Sequence, residues 1–253
     1  MHPSKPIGIL VIAHGSRNEQ WNRLVDEAIN QVQVDYPIVV GFLELVPGRL
    51  IPDGVKALEE QGVKQILAIP LFVSSGSTHL EEIWYSLGVI QHPRLPTHLS
   101  RIRPQAEVIP CQGMDAHHRI IEIIEERVTD LSTIPEEESL LLIAHGSEKS
   151  GFQERWEQGL AELAAAMVER FGFPRIDFAM LRTKDVKPKA EALAKRGRLL
   201  ALPIFLSCGY FTEVVVPKEL EGIPHYYRGE AFLPHSSIAR WIEEMIDDKI
   251  NEM

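Results

Sequence analysis

Apolar residues in this chain fall into short unbroken runs, separated by stretches in which they recur every three or four positions. Ile7–Ala13 is the first run, the pattern of a strand buried on both faces of a parallel sheet. Trp21, Leu24, Val25, Ala28, Ile29 and Val32 follow at helical spacing and predict a long amphipathic helix. Pro37–Leu45 is the next strand, with Glu44 at its end. Leu50–Gln61 is a helix that stops at Gly62, a usual terminator. Lys64–Val73 is a third strand, followed by the loop Ser74–Thr78 and a further helix. Glu107–Cys111 is a weak fourth strand, and Ala116–Val128 a helix with Ile120, Ile121, Ile124 and Val128 on one side.

The same order then returns. Leu140–Ala144 is a strand, Phe152–Phe171 a helix, Arg175–Met180 a strand, and a helix ending at Gly197 precedes the strand Arg198–Leu206. The words repeat too: LVIAHGS at Leu10–Ser16 becomes LLIAHGS at Leu141–Ser147, and Pro70–Val73 is echoed by Pro203–Leu206. The closing helix, through Ile238, Ala239, Ile242 and Met245, matches the one around Ile120. Thr129–Ser139 is polar, with a proline and three glutamates, and marks the boundary between repeats at 1–131 and 132–253. Strands alternating with helices predict an α/β protein of two tandem doubly wound halves. Each has a mainly parallel four-stranded sheet, with a cleft between the halves.

Composition narrows the function. A formal charge of −10 argues against general nucleic-acid binding, which needs a basic face. Two cysteines, Cys111 and Cys208, make neither a disulfide framework nor a zinc site, and reduced cytoplasm is the expected compartment. No apolar run approaches the length of a membrane span, so no membrane partner is expected. Neither a Walker phosphate loop nor a GxGxxG dinucleotide fingerprint occurs.

Candidate chemistry gathers at strand ends. In sheets of this type ligands bind beyond the carboxyl ends of the strands, near a switch in strand order. His14 and His79 each lie just after a strand, and Glu44 ends another. Ser16–Glu19 and Thr78–Glu81 read as capping boxes, so each histidine sits beside a helix start. Aligning Pro70 with Pro203 sets Thr212 opposite His79 and Val215 opposite Glu82, and the best local match sets Met180 opposite Glu44. The second repeat thus keeps His145 and loses its polar partners, and His145 reads as retained scaffold. His117 and His118, neighbours at a helix start, are expected to point in different directions. Cys208 reads as a small buried thiol, and Trp21 and Trp156 as core.

The strand with AHGSR at His14, Phe42–Glu44 after the second strand and Ile69–His79 (IPLFVSSGSTH) together resemble the CbiX-type sirohydrochlorin chelatases, class II tetrapyrrole chelatases, in their long two-copy form. Gly113–His117 is a weaker echo. The resemblance implies a lyase that inserts a divalent metal, cobalt or ferrous iron, into sirohydrochlorin without ATP. His14 and His79 match the metal-handling histidines, and Glu44 the acidic residue. Thr78 replaces the usual glycine before the second histidine, and Glu82-Ile83 takes the place of an aspartate-isoleucine pair.

That chemistry suits these residues. Neutral imidazole is a good ligand for cobalt, iron and nickel, and it accepts protons near neutral pH. The expected metal ligands are His14 and His79, with Glu44 as a third catalytic group. The metal is a substrate, and no cofactor is permanently bound. The other substrate is flat and ringed by carboxylates. Arg94, Arg101 and Arg103 can pair with these, with Ser16, Arg17 and Ser75 as further contacts. The 92–103 segment can equally be a solvated surface loop. Two other functions are open: a metal or tetrapyrrole carrier without turnover, and a phosphoryl-transfer enzyme, disfavoured because Ala13 leaves no cation beside His14. The chain is expected to act as a monomer or homodimer.

Overall fold

A computed structural model describes residues 6–253. In the first repeat, β1 (Ile7–Ala13), β2 (Ile38–Phe42), β3 (Gln65–Pro70) and β4 (Glu107–Pro110) form one parallel sheet in the order β2-β1-β3-β4. Ile9–Ala13 are fully buried, as an unbroken apolar run between two covering layers requires. Helices α1 (Glu19–Ile29), α2 (Ile51–Glu60) and α3 (Thr78–Ser86) follow β1, β2 and β3 in turn. The chain runs from β1 to β2 on one side and then crosses to β3 on the other, so strand order reverses between β1 and β3. That reversal is where such sheets open a crevice.

The second repeat has β5 (Glu138–Ala144), β6 (Ile176–Met180) and β7 (Arg198–Ile204), parallel in the order β6-β5-β7. The expected fourth strand is reduced here to an isolated bridge between Leu200 and Tyr226. Helices α4 (His118–Leu131), α5 (Gln153–Phe171), α6 (Val186–Ala194), the short α7 (Val216–Glu219) and α8 (Ser237–Glu252) complete the chain. A π-helical stretch, Phe211–Val215, leads into α7.

Packing divides the chain differently from the sequence repeat. One compact unit takes the residues up to Phe72, Ser77–Gly113 and Ala239–Met253. The other takes Val73–Gly76 and Met114–Ile238. Helix α8 therefore closes the first unit, where Glu243 accepts from the Gln33 amide at 2.7 Å and Trp241, Ile242 and Ile246 are fully buried. Helix α4 belongs to the second. Periodicity reports which face of a helix is apolar, but not which sheet that face covers.

The polar boundary also turns out shorter. Helix α4 runs on to Leu131, and β5 begins already at Glu138, which is 1% exposed. Its carboxylate accepts from Ser132 Oγ (2.5 Å), Arg198 Nη1 (3.0 Å), and the Thr133 amide (3.2 Å) and hydroxyl (3.3 Å), which satisfies a buried charge. No helix among the described residues is long and apolar enough to cross a membrane.

Candidate functional site

In the first unit, three strand ends converge. The β1–β2 ladder continues past both strands: Leu43 N donates to Ala13 O at 2.8 Å and Glu44 N to His14 O at 3.1 Å. Glu44 is thereby held beside His14 by backbone bonds alone. From β3 the chain passes through the Ser74–Ser77 loop into the first turn of α3, which carries His79. The His14 and His79 rings meet edge to face, their centroids 4.9 Å apart at 76°. Glu44 Oε1 stands 3.6 Å from His14 Nε2, beyond hydrogen-bond range but close enough to stabilise a proton taken up there.

Both rings are fixed through Nδ1. His14 Nδ1 lies 3.0 Å from Gly15 O, and His79 Nδ1 lies 3.0 Å from Glu82 Oε2. A carbonyl and a carboxylate only accept, so both histidines carry Nδ1–H, and in the neutral ring Nε2 is the nitrogen left to bind an ion. With side chains 36% and 40% exposed, the pair is open enough to exchange an ion.

Gly15 makes this approach possible. Its φ is +89°, and a Cβ there would fall on the Glu44 carbonyl oxygen. Gly15→Ala is expected to cost at least about 2 kcal/mol. A thermal melt should then fall by about 4–8 °C.

The expected capping boxes are replaced by other arrangements. Asn18, not Ser16, caps α1, accepting from the Gln20 amide at 3.0 Å. Ser16 Oγ accepts from the Asn18 amide at 3.0 Å, and its backbone exchanges two bonds with the Asn22 side chain. Ser77 occupies the cap position of α3. Glu81 turns away from that helix end and accepts from the Arg94 amide (2.5 Å) and Nε (3.2 Å).

The arginines expected to meet substrate divide into two groups. Arg94 is held by Glu81. Arg101 bonds Ile90 O at 2.6 Å and Gln91 Oε1 at 3.3 Å, and stacks over Tyr85. Together with Ile102 N on Ser86 O (2.7 Å), and Leu99 and Ile102 against the core, these contacts fasten the 92–103 segment to the first unit. Arg17 and Arg103 are exposed. Ser75 gives both its amide (2.8 Å) and its hydroxyl (2.5 Å) to Asp115, in the second unit's part of that loop.

The second unit repeats the geometry with different chemistry. His145 Nδ1 meets Gly146 O at 3.1 Å, as His14 meets Gly15. Against the His145 ring, however, stands Phe211, with centroids 5.0 Å apart at 79°. Phe211 and not Thr212 is the counterpart of His79, because the loop from Phe205 is one residue shorter than the loop from Phe72. Thr212 is buried, its hydroxyl bonded to Gly209. In sequence Val214 lies three residues after Phe211, as Glu82 does after His79, but within the π-helical stretch. The backbone partner of His145 O is Arg182 N at 3.0 Å, so Arg182 and not Met180 corresponds to Glu44, and Met180 pairs as Phe42 does. A histidine, a histidine and a carboxylate have become a histidine, a phenylalanine and a guanidinium.

Three smaller expectations are corrected. The rings of His117 and His118 lie 4.4 Å apart, because His117 is an extended N-cap outside α4 and its side chain accepts from the Arg119 amide. Cys208 is exposed, whereas Cys111 is buried, its thiol pushed up to about 12 by desolvation. Trp156 is buried as expected, while Trp21 is only half-buried. The role of Glu82 went unassigned in the sequence, although its i,i+3 spacing from His79 on a helix was a readable signal.

Known proteins share the fold and the two-repeat sequence of this chain. A sirohydrochlorin ferrochelatase of Priestia megaterium is 26% identical over 227 residues, covering 84% of this chain and 77% of its own. A sirohydrochlorin cobaltochelatase of Methanothermobacter thermautotrophicus is 29% identical over 132 residues, 48% of this chain and 90% of its own, so it matches the length of one repeat. Among solved structures, SirB from Bacillus subtilis with Fe3+ superposes with a TM-score of 0.74 at 17% identity, covering 96% of this chain and 94% of that one. The CbiX family model matches twice, over residues 8–131 and 139–252. With both repeats matched across nearly its whole length, the chain belongs to the CbiX family.

Proposed function

We propose that this protein is a sirohydrochlorin chelatase, inserting a divalent metal into the macrocycle without ATP. One observation carries the reading: His14 and His79 meet ring to ring at 4.9 Å, each with Nδ1 engaged, with Glu44 3.6 Å from His14 Nε2. Insertion exchanges one M²⁺ for two pyrrole N–H protons. Two neutral imidazoles hold a borderline ion through Nε2 without enclosing it, which suits an ion that must leave. Once the ion has passed to the ring, the same nitrogens accept the released protons, and Glu44 stabilises the cation formed on His14. The names of the relatives, cobaltochelatase and ferrochelatase, support cobalt or ferrous iron as the metal substrate.

The test is an anaerobic assay with sirohydrochlorin in large excess over the protein and Co²⁺, Fe²⁺ or Ni²⁺ in turn, followed by absorbance. Metallated product well beyond one equivalent per chain is the expected outcome with cobalt or iron. Product that stops at one equivalent would make the protein a carrier, and no acceleration with any metal would remove the chelatase reading.

A further inference from the structure

Two adjacent carboxylates on α3 have separate occupations. Glu81 is buried and holds Arg94, whereas Glu82 turns to His79, its Oε2 3.0 Å from Nδ1. The Glu82 side chain is 24% exposed, less than the histidine it supports. The two metal-facing histidines therefore differ in what stands behind them: a neutral carbonyl, Gly15 O, behind His14, and a carboxylate behind His79. In the second unit His145 keeps its carbonyl partner, but Phe211 and Val214 replace the histidine and the carboxylate together.

We propose that Glu82 is the positioning residue of the metal site: it holds His79 as the Nδ1–H tautomer, so that Nε2 is presented to the ion. It also makes His79 the stronger of the two imidazole donors. This rests on the chelatase reading for its purpose, but not for its test. A carboxylate hydrogen-bonded behind a metal-bound imidazole fixes ring orientation and raises the donor strength of the coordinating nitrogen, and losing it typically weakens metal affinity about 10–100-fold. Glu82 acts through His79 and touches neither the ion nor the macrocycle.

The full chain is titrated anaerobically with Co²⁺ alone, read by the visible ligand-field bands of the bound ion. Glu82→Ala should weaken cobalt binding by about 10–100-fold with an altered band shape. Glu82→Gln, whose amide oxygen can still accept from Nδ1–H, should fall between that variant and the wild type. Both variants should melt within a degree or two of the wild type. Wild-type affinity and bands in Glu82→Ala would overturn the proposal. So would a Glu82→Gln variant as weak as Glu82→Ala with both melting early, since that pattern belongs to a structural role. If the wild type binds cobalt with the expected order of variants yet inserts no metal, the chelatase reading falls and the positioning role stands.

Discussion

Alanine at His79 or at His14 is expected to slow metal insertion by about 10²–10⁴-fold, the range in which a positioned acid–base group operates. Each substitution removes one Nε2 donor from a pair whose rings meet at 4.9 Å, and with it one acceptor for a pyrrole proton. Because the ligand and the base are the same atom, the loss should appear in kcat as well as in the apparent KM for metal. Neither side chain belongs to the apolar core, so the variants should melt near the wild type. Glu44→Gln should cost less, because Glu44 stands 3.6 Å from His14 Nε2 and acts through charge. His145→Ala serves as the internal comparison and should leave turnover close to wild type, since a phenylalanine and not a second imidazole meets that ring. Steady-state initial rates on the four variants decide the matter. A His145→Ala loss comparable to that of His14→Ala would place the working site elsewhere.

Restoring the lost chemistry should restore the lost site. Phe211→His combined with Arg182→Glu places imidazole against His145 at a ring separation that already matches the first unit, 5.0 Å against 4.9 Å. It places a carboxylate where the backbone already holds residue 182 on His145 O at 3.0 Å, beside the 3.1 Å of its counterpart. Phe211 is 40% exposed, so a smaller polar ring there leaves little cavity. Cobalt stoichiometry, measured by equilibrium dialysis, should rise from one to two ions per chain. The added site should be the weaker one, because Val214 offers no carboxylate behind the new histidine. Phe211→His alone, with Arg182 still cationic, should bind poorly. A stoichiometry of one in the double variant would mean that ring geometry is not what confines metal to the first unit.

Much of this fold could be read from apolar spacing, and the reason is physical. Strands such as Ile7–Ala13 and Leu140–Ala144 are buried on both faces, so burial alone dictates every residue in them. The meeting of His14, His79 and Glu44 was legible because each follows or ends a strand at the carboxyl edge of one parallel sheet. Features set by tertiary contacts were not. The cap of α1 moved from Ser16 to Asn18 once Asn22 engaged the Ser16 backbone. The pairing of the repeats slipped by one residue because a deletion between Phe205 and Phe211 leaves no trace in periodicity. Only the ring contact with His145 reveals it. That Glu81 and the Ile90 carbonyl hold Arg94 and Arg101 against the first unit could not be read from spacing either. Exchange of α4 and α8 between the compact units was equally invisible, since both helices carry the same apolar stripe.

One unit of this two-repeat chain is expected to handle metal, through His14 and His79. Anomalous scattering at the cobalt edge, from crystals of the full chain soaked anaerobically in Co²⁺, tests it most directly. The expected map has a single strong peak within coordination distance of His14 Nε2 and His79 Nε2, and no peak beside His145. A peak at His145, or none at the His14–His79 pair, would overturn this assignment.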